Sequence, residues 1–294
     1  MRTVYLRQLL LILALSAGLC DLARANLSVS ESTVLDFGTV VDGSGMVRLG
    51  LSDSITSDSS GIHLGGSVQS GVYVITGTAN CSVKVTLTGS TASGLQINNF
   101  KADGNLNSLS LGGGGSATLT VGANLTVDDT AASPGLDQAL VFTFGVVYKN
   151  PCSGSSASPN FNGRVDVYEV LGLSETTELD FGTVSDNNGT ITLGLGDSIT
   201  SDASGISLGG TIASGVYTVT GQANATVSMS LAGSSAAGLT IGSFTSSEAD
   251  LSTVSLGAGG SNAVTLGADL TVASATAAPG ADQLLSFTIT VNYN

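Results

Sequence analysis

The sequence predicts an all-β protein: two tandem immunoglobulin-like antiparallel β-sandwich domains that follow a signal peptide. Three observations carry this expectation. Apolar residues alternate in short runs such as "GVYVITG", "CSVKVTLTG" and "ALVFTFGVVY", the period-2 pattern of strands with one buried face. Charged residues make up 10% of the chain, and the 40 Gly together with abundant Ser, Thr and Asn supply the polar positions, a composition that suits short strands and turns better than helices. The chain also repeats itself. An offset of 144 lays Leu35–Phe100 on Leu179–Phe244 without a gap and with roughly 40 of 66 positions identical, and two copies that long read as two self-sufficient domains.

Residues 1–25 read as a secretory signal peptide. Arg2 and Arg7 flank the start of "LLLILALSAGL", and "ARA" at Ala23–Ala25 offers small residues before a cut at Asn26. The apolar run is shorter than the roughly 20 residues of a membrane-spanning helix, so no membrane anchor is expected in the mature chain. Leu19 before Cys20 is too bulky for a lipoprotein signal. Removing these residues takes away three Arg and Asp21, so the mature net charge is 5 minus 21, or −16. No Lys or Arg follows Arg164. A half-chain without cations cannot neutralise phosphates, which excludes nucleic acid and anionic lipid as partners.

The first domain is expected over 26–149. Its start, "NLSVSESTV", places Leu27 and Val29 in alternation, a strand that could be lent to the open sheet edge of a neighbour. The glycine runs Gly112–Gly115 and Gly257–Gly260 read as hairpin turns. Cys81 is expected in a strand and Cys152 lies just beyond the domain; two cysteines in an oxidising compartment are expected to form one disulfide. A linker follows over 150–163, with Pro, Gly and Ser but no periodicity. The second domain is expected over 164–294, with "RVDVYEVLGL" as an extra lead-in strand and a final strand whose Phe287, Ile289, Val291 and Tyr293 alternate.

The repeated Asp-Phe-Gly triplet matches the magnesium-binding triplet of protein kinases. A kinase also needs a glycine-rich loop, a strand lysine and a catalytic His-Arg-Asp segment. The sole histidine is His63, which the second copy replaces with Ser207. Catalysis is therefore not expected, and no cofactor or metal is assigned. The triplet reads instead as a strand with Leu35 and Phe37 in the core and a glycine that permits a bend or bulge. "DSITSD", at Asp53–Asp58 and Asp197–Asp202, raises calcium binding. Its five-residue Asp spacing fits hairpin turns better than a site needing six to eight oxygens.

The ordered set "LDFGTV", "SGVYTVTG", "LTIGSF", "LGAGGSNAVTLGADLTV" and a terminal "SFTITVNYN" resembles an uncharacterised bacterial family of secreted domains of unknown function. More loosely it is similar to fimbrillins of the common-pilus type. The resemblance implies a structural subunit of the bacterial surface that transits the periplasm and self-associates or joins other surface subunits, with a periplasmic chaperone and usher as further partners. It implies that the strand carrying Phe287, Ile289, Val291 and Tyr293 serves assembly. The alternative expectation is a surface adhesin or calcium-assisted binding module using the Asp-rich loops.

Overall fold

The computed structural model describes residues 25–277, 279, 280 and 283–294; the expected signal peptide, apart from Ala25, lies outside the described residues. The chain is all-β, with no helix among those residues that is long and apolar enough to cross a membrane. It divides into two compact units that meet between Tyr168 and Glu169 in sequence.

The first unit holds β1 (Ser28–Thr33), β2 (Asp36–Val41), β3 (Gly45–Leu49), β4 (Ile55–Asp58), β5 (His63–Gln69), β6 (Gly71–Thr76), β7 (Ser82–Gly89), β8 (Thr91–Ala92), β9 (Leu95–Ala102), β10 (Leu109–Ser110), β11 (Ser116–Val127), β12 (Gly135–Tyr148) and β13 (Asn160–Tyr168). One sheet runs β1-β6-β11-β3-β4, with β9 also pairing β11 and β8 pairing β9. The other is a six-stranded sheet in the order β10-β7-β12-β13-β2-β5. Alternate residues of both meet in one continuous core, in which Leu35, Phe37, Tyr73, Leu119, Phe142 and Phe144 are fully buried. The outward positions carry Ser, Thr, Asn and Lys, as expected of a sheet with one wet face.

The second unit holds β14 (Gly172–Thr177), β15 (Thr183–Val184), β16 (Gly189–Leu193), β17 (Ile199–Asp202), β18 (Ser207–Gly209), β19 (Gly215–Thr220), β20 (Thr226–Ala232), β21 (Ser234–Ala236), β22 (Leu239–Ser246), β23 (Val254–Ser255), β24 (Ser261–Val272) and β25 (Thr288–Tyr293). Its first sheet repeats the partner order of the first unit, β14-β19-β24-β16-β17 with β22 on β24. Its second does not. It is split into a three-stranded piece, β23-β20-β25, and a two-stranded piece, β15-β18.

Two expectations differ from the structure. The glycine runs are not hairpin turns: Gly112–Gly115 carries the chain from β10 in one sheet to β11 in the other. A Cβ on Gly115, at φ +67°, would stand 2.5 Å from the Gly77 carbonyl oxygen, which is why this crossing is written in glycine. The expected division at residue 164, with a linker over 150–163, also differs. Residues 160–168 form β13 and pair with β12 and β2, inside the first unit. The reason is apolar periodicity: Gly163, Val165 and Val167 fall on one face and are buried there, so the segment gains more by entering the first sheet than by preceding the second.

Candidate functional site

Strand β13 belongs to the first unit and has no counterpart among the described residues of the second. It runs antiparallel to β12, with Phe142 opposite Phe161, Leu140 opposite Gly163 and Gln138 opposite Val165. On its other side it runs parallel to β2, with Arg164 beside Asp36 and Val167 beside Val40. Its backbone is fastened beyond both ends of β2: the Arg164 N–H donates to the Leu35 carbonyl at 2.8 Å, and the Asp42 N–H donates to the Tyr168 carbonyl at 2.7 Å. Phe161 lies 5.0 Å ring to ring from Tyr73 and 6.1 Å from Phe144. Burying Val165 and Val167 contributes about 1.5–3 kcal/mol each.

In the second unit the corresponding place between β25 and β15 is unfilled by any described residue. Pairing shows the consequence. β12 is 14 residues long, whereas β25, which carries the matching sequence, is 6. β2 is 6 residues and its counterpart β15 is 2. A strand needs a partner to hold its backbone extended, and here each of the two lacks one on the side where β13 would lie. The core divides likewise, into two clusters where the first unit has one. Leu140, Phe142, Phe144 and Val146 are buried in the first unit, while Leu285, Phe287, Ile289 and Val291 are only partly covered.

What remains is a cleft of about 1110 Å³. Its floor is apolar, formed by Leu179, Phe181, Tyr217, Leu285, Phe287 and Ile289. Its rim is acidic, with Glu175, Glu178 and Asp180. The Tyr217 hydroxyl donates to Glu175 Oε1 at 2.8 Å, and burial, followed by this bond and the charges of Glu175 and Glu178, pushes the phenol well above the ordinary tyrosine range. The first unit has the same pair, Tyr73 donating to Glu31 Oε1 at 3.2 Å. There burial raises the carboxyl of Glu31, against the opposing effects of the Tyr73 bond and the Arg164 charge. Arg164, 4.0 Å from Asp137, is the cation of this acidic neighbourhood, and the second unit's sequence contains no Lys or Arg to match it.

The residues singled out from sequence fall as follows. Cys81 and Cys152 are bonded to each other, with Cα atoms 5.9 Å apart. Leu27 is buried in the first unit, and Val29 pairs with Ile75 where β1 joins β6; this segment is a strand of its own domain. Phe287 lies just before β25, and Ile289, Val291 and Tyr293 lie within it; the last three face Leu231, Met229 and Val227 of β20. Tyr293 also closes its own domain, donating to the Glu169 carbonyl at 2.6 Å and accepting from the Gln222 N–H at 2.7 Å. Tyr148 does the same with Ala25 and Thr78.

The Asp-rich loops are tied down by their own backbone. Asp58 accepts from the N–H groups of Ile62 and His63 at 3.1 and 3.0 Å, and Asp202 from Ile206 and Ser207 at 2.9 Å each. Asp53 and Asp197 accept from the hydroxyl and N–H of Ser70 and Ser214, bonds that hold both carboxyls below their usual range. Among the described residues no group of three or more His, Cys, Asp or Glu could hold a metal ion. In the repeated triplet, Asp36 accepts from the Gly38 N–H and Asp180 from the Gly182 N–H, both at 2.8 Å. Each aspartate thus braces the bend at the glycine two residues on. The cleft was not read from sequence: the alternation of Phe161, Gly163, Val165 and Val167 was divided between the expected linker and the expected lead-in strand of the second domain.

Among curated proteins none matches the chain. Among solved structures, a protein of unknown function from Porphyromonas gingivalis W83 is similar at 15% identity, with 84% of this chain and 83% of that chain covered and a TM-score of 0.24. The secreted serine protease VesC from Vibrio cholerae is similar at 8% identity, covering 91% and 51% with a TM-score of 0.23. A chain of a chaperone–tip adhesin complex of CFA/I fimbriae biogenesis is similar at 11% identity, covering 90% and 98% with a TM-score of 0.23. A family model matches twice, over residues 27–138 and 171–293, and on that evidence the chain belongs to the family described as a domain of unknown function, DUF4402.

Proposed function

We propose that the protein is a secreted structural subunit of the bacterial surface, of pilus or filament-associated type, whose second unit is completed by a strand from a neighbouring subunit. One observation supports this above the others: the same sheet is closed by β13 in the first unit and split at that position in the second. Adding a strand to an open edge supplies main-chain hydrogen bonds for affinity and side-chain pockets for specificity. The signal-like leader and the acidic surface favour export and solubility before assembly. An open apolar edge invites wrong pairing, so a periplasmic chaperone that covers the cleft until delivery to an usher is part of the proposal. The role needs no catalysis.

The test is made in the native bacterium. A tagged chain should appear in the sheared surface fraction as an oligomer ladder that survives mild detergent. Leu285→Asp, which puts a charge on the cleft floor, should abolish the ladder while the secreted monomer persists. A wild-type chain found only as monomer at the surface would sink the proposal.

A further inference from the structure

We propose that the cleft of the second unit takes an extended segment of another polypeptide with a defined chemistry: an aromatic residue, two positions later a glycine, next a cation, and then two β-branched residues at alternate positions. This rests on the assembly reading above. The segment runs antiparallel to the 284–289 stretch and parallel to β15, as β13 runs against β12 and β2.

Each position follows from the filled unit. The aromatic ring stands opposite Phe287, the counterpart of Phe142, and meets Tyr217 as Phe161 meets Tyr73. Tyr217 and Phe287 already stand 5.7 Å apart, edge to face, and Phe244 lies 5.0 Å from Phe287, so an incoming ring extends an existing aromatic cluster. The glycine is favoured by space. A Cβ on Gly163 would stand 3.1 Å from the Leu35 carbonyl oxygen and 3.2 Å from a Leu35 methyl, and Leu179 and Leu285 occupy the matching places in the second unit. The two β-branched residues follow Val165 and Val167, which are buried, and would rejoin the two core clusters into one. The cation follows Arg164. Its place in the second unit is bordered by Asp180 and Glu175, the counterparts of Asp36 and Glu31, and Glu178 replaces Val34 there, so the rim is more acidic than the one Arg164 already serves.

Among the described residues the neighbouring strands are committed elsewhere: β14 pairs β19, and β13 lies in the first unit. The segment 150–168 nevertheless carries the required pattern and can serve as a probe. In the first unit it follows β12 directly, so its natural attachment point in the second is Asn294.

The experiment appends a copy of residues 150–168 after Asn294 of the otherwise intact mature chain, with Cys152→Ser in the copy because Ala225 offers no thiol. The in-register copy should raise the second unit's melting temperature by roughly 10 °C and protect the 284–289 amides from exchange. A copy with Asn162 deleted flips every later side chain to the other face and should give neither effect. A copy with Arg164→Glu should lose most of the rise at low salt, and one with Gly163→Leu should lose all of it. Equal stabilisation by the slipped copy, or none by any copy, overturns the proposed chemistry. The assembly reading is judged separately, by whether the chains still form the ladder. If the in-register copy stabilises the unit and the ladder persists, the strand chemistry stands and assembly through this cleft falls. If no copy stabilises and the ladder forms without them, the reverse holds.

Discussion

The ring of Phe161 lies 5.0 Å from the ring of Tyr73, although Phe161 follows the disulfide and falls in the expected linker, and Tyr73 is fully buried in the first unit's core. Phe161 also meets Phe142 at 6.2 Å and Phe144 at 6.1 Å. Truncating a fully buried phenylalanine costs about 3–5 kcal/mol. Phe161 is partly covered, so Phe161→Ala should destabilise the first unit by about 2–3 kcal/mol. Calorimetry should show the first unit's transition falling while the second unit's stays in place. If both move equally, residues 160–168 do not belong to the first unit alone.

The disulfide has a distinct consequence. It closes a span of 71 residues, and in the chain-entropy model a loop of that length stabilises by about 4 kcal/mol. It also shortens the free chain between β12 and β13, so its loss should be felt first in β13. Replacing both cysteines with Ala should lower the first unit's stability by about 3–4 kcal/mol, measured by urea unfolding. Exchange of the amides at Arg164 and Val167 should quicken before that of β11. A variant in which β13 stays as protected as the core would refute the tether role.

Much of the fold was legible because alternation and duplication are local signals. The Leu35 and Phe37 positions and the strand content follow from pattern, and with two cysteines between Asn26 and Asn294 one pair is the simplest bridge. The place of β13 was not legible in the same way. "RVDVYEVLGL" alternates as well in either domain, and only the sheet pairing decides that Val165 and Val167 enter the first core. The cleft was hidden for a related reason. Phe287 and Ile289 read as core residues in sequence, and periodicity alone does not say whether the strand beside them is present. The glycine runs misled because a turn within a sheet and a crossing between sheets use the same residue.

Acid should reveal the serine-bound aspartates. Hydrogen bonds from the Ser70 and Ser214 hydroxyls, then from their N–H groups, hold Asp53 and Asp197 below the ordinary carboxyl range. A depressed folded-state pKa means that the stabilisation is present above the unfolded value, about 3.9, and is lost as pH falls through the lower folded value. Asp53→Asn with Asp197→Asn should therefore melt below the wild type at neutral pH, and the two curves should converge as pH falls through the depressed folded-state value. Melting temperature followed across that range checks it. A gap that stays constant with pH would show that the charge on these carboxylates has no part in it.

The repeated Asp-Phe-Gly gives the sharpest test of a structural role. Gly38 and Gly182 sit at φ +71° and +72°, where a Cβ would stand 2.4 Å from the Gly65 carbonyl oxygen and 2.5 Å from that of Gly209. Left-handed backbone alone costs a residue with a Cβ about 1–2 kcal/mol, and a clash with a fixed carbonyl adds to it. Gly61, at φ +66°, has nothing within 4 Å of its Cβ position and so isolates the backbone part. Gly61→Ala should cost about 1 kcal/mol, whereas Gly38→Ala should cost about 3 kcal/mol or more by denaturant unfolding. Gly182→Ala should destabilise the second unit by less than Gly38→Ala does the first, because among the described residues β15 has a partner strand on one side only and its backbone can yield. Equal losses at Gly61 and Gly38 would remove the carbonyl contact from the explanation, and equal losses at Gly38 and Gly182 would mean that the open edge gives the second unit no extra freedom.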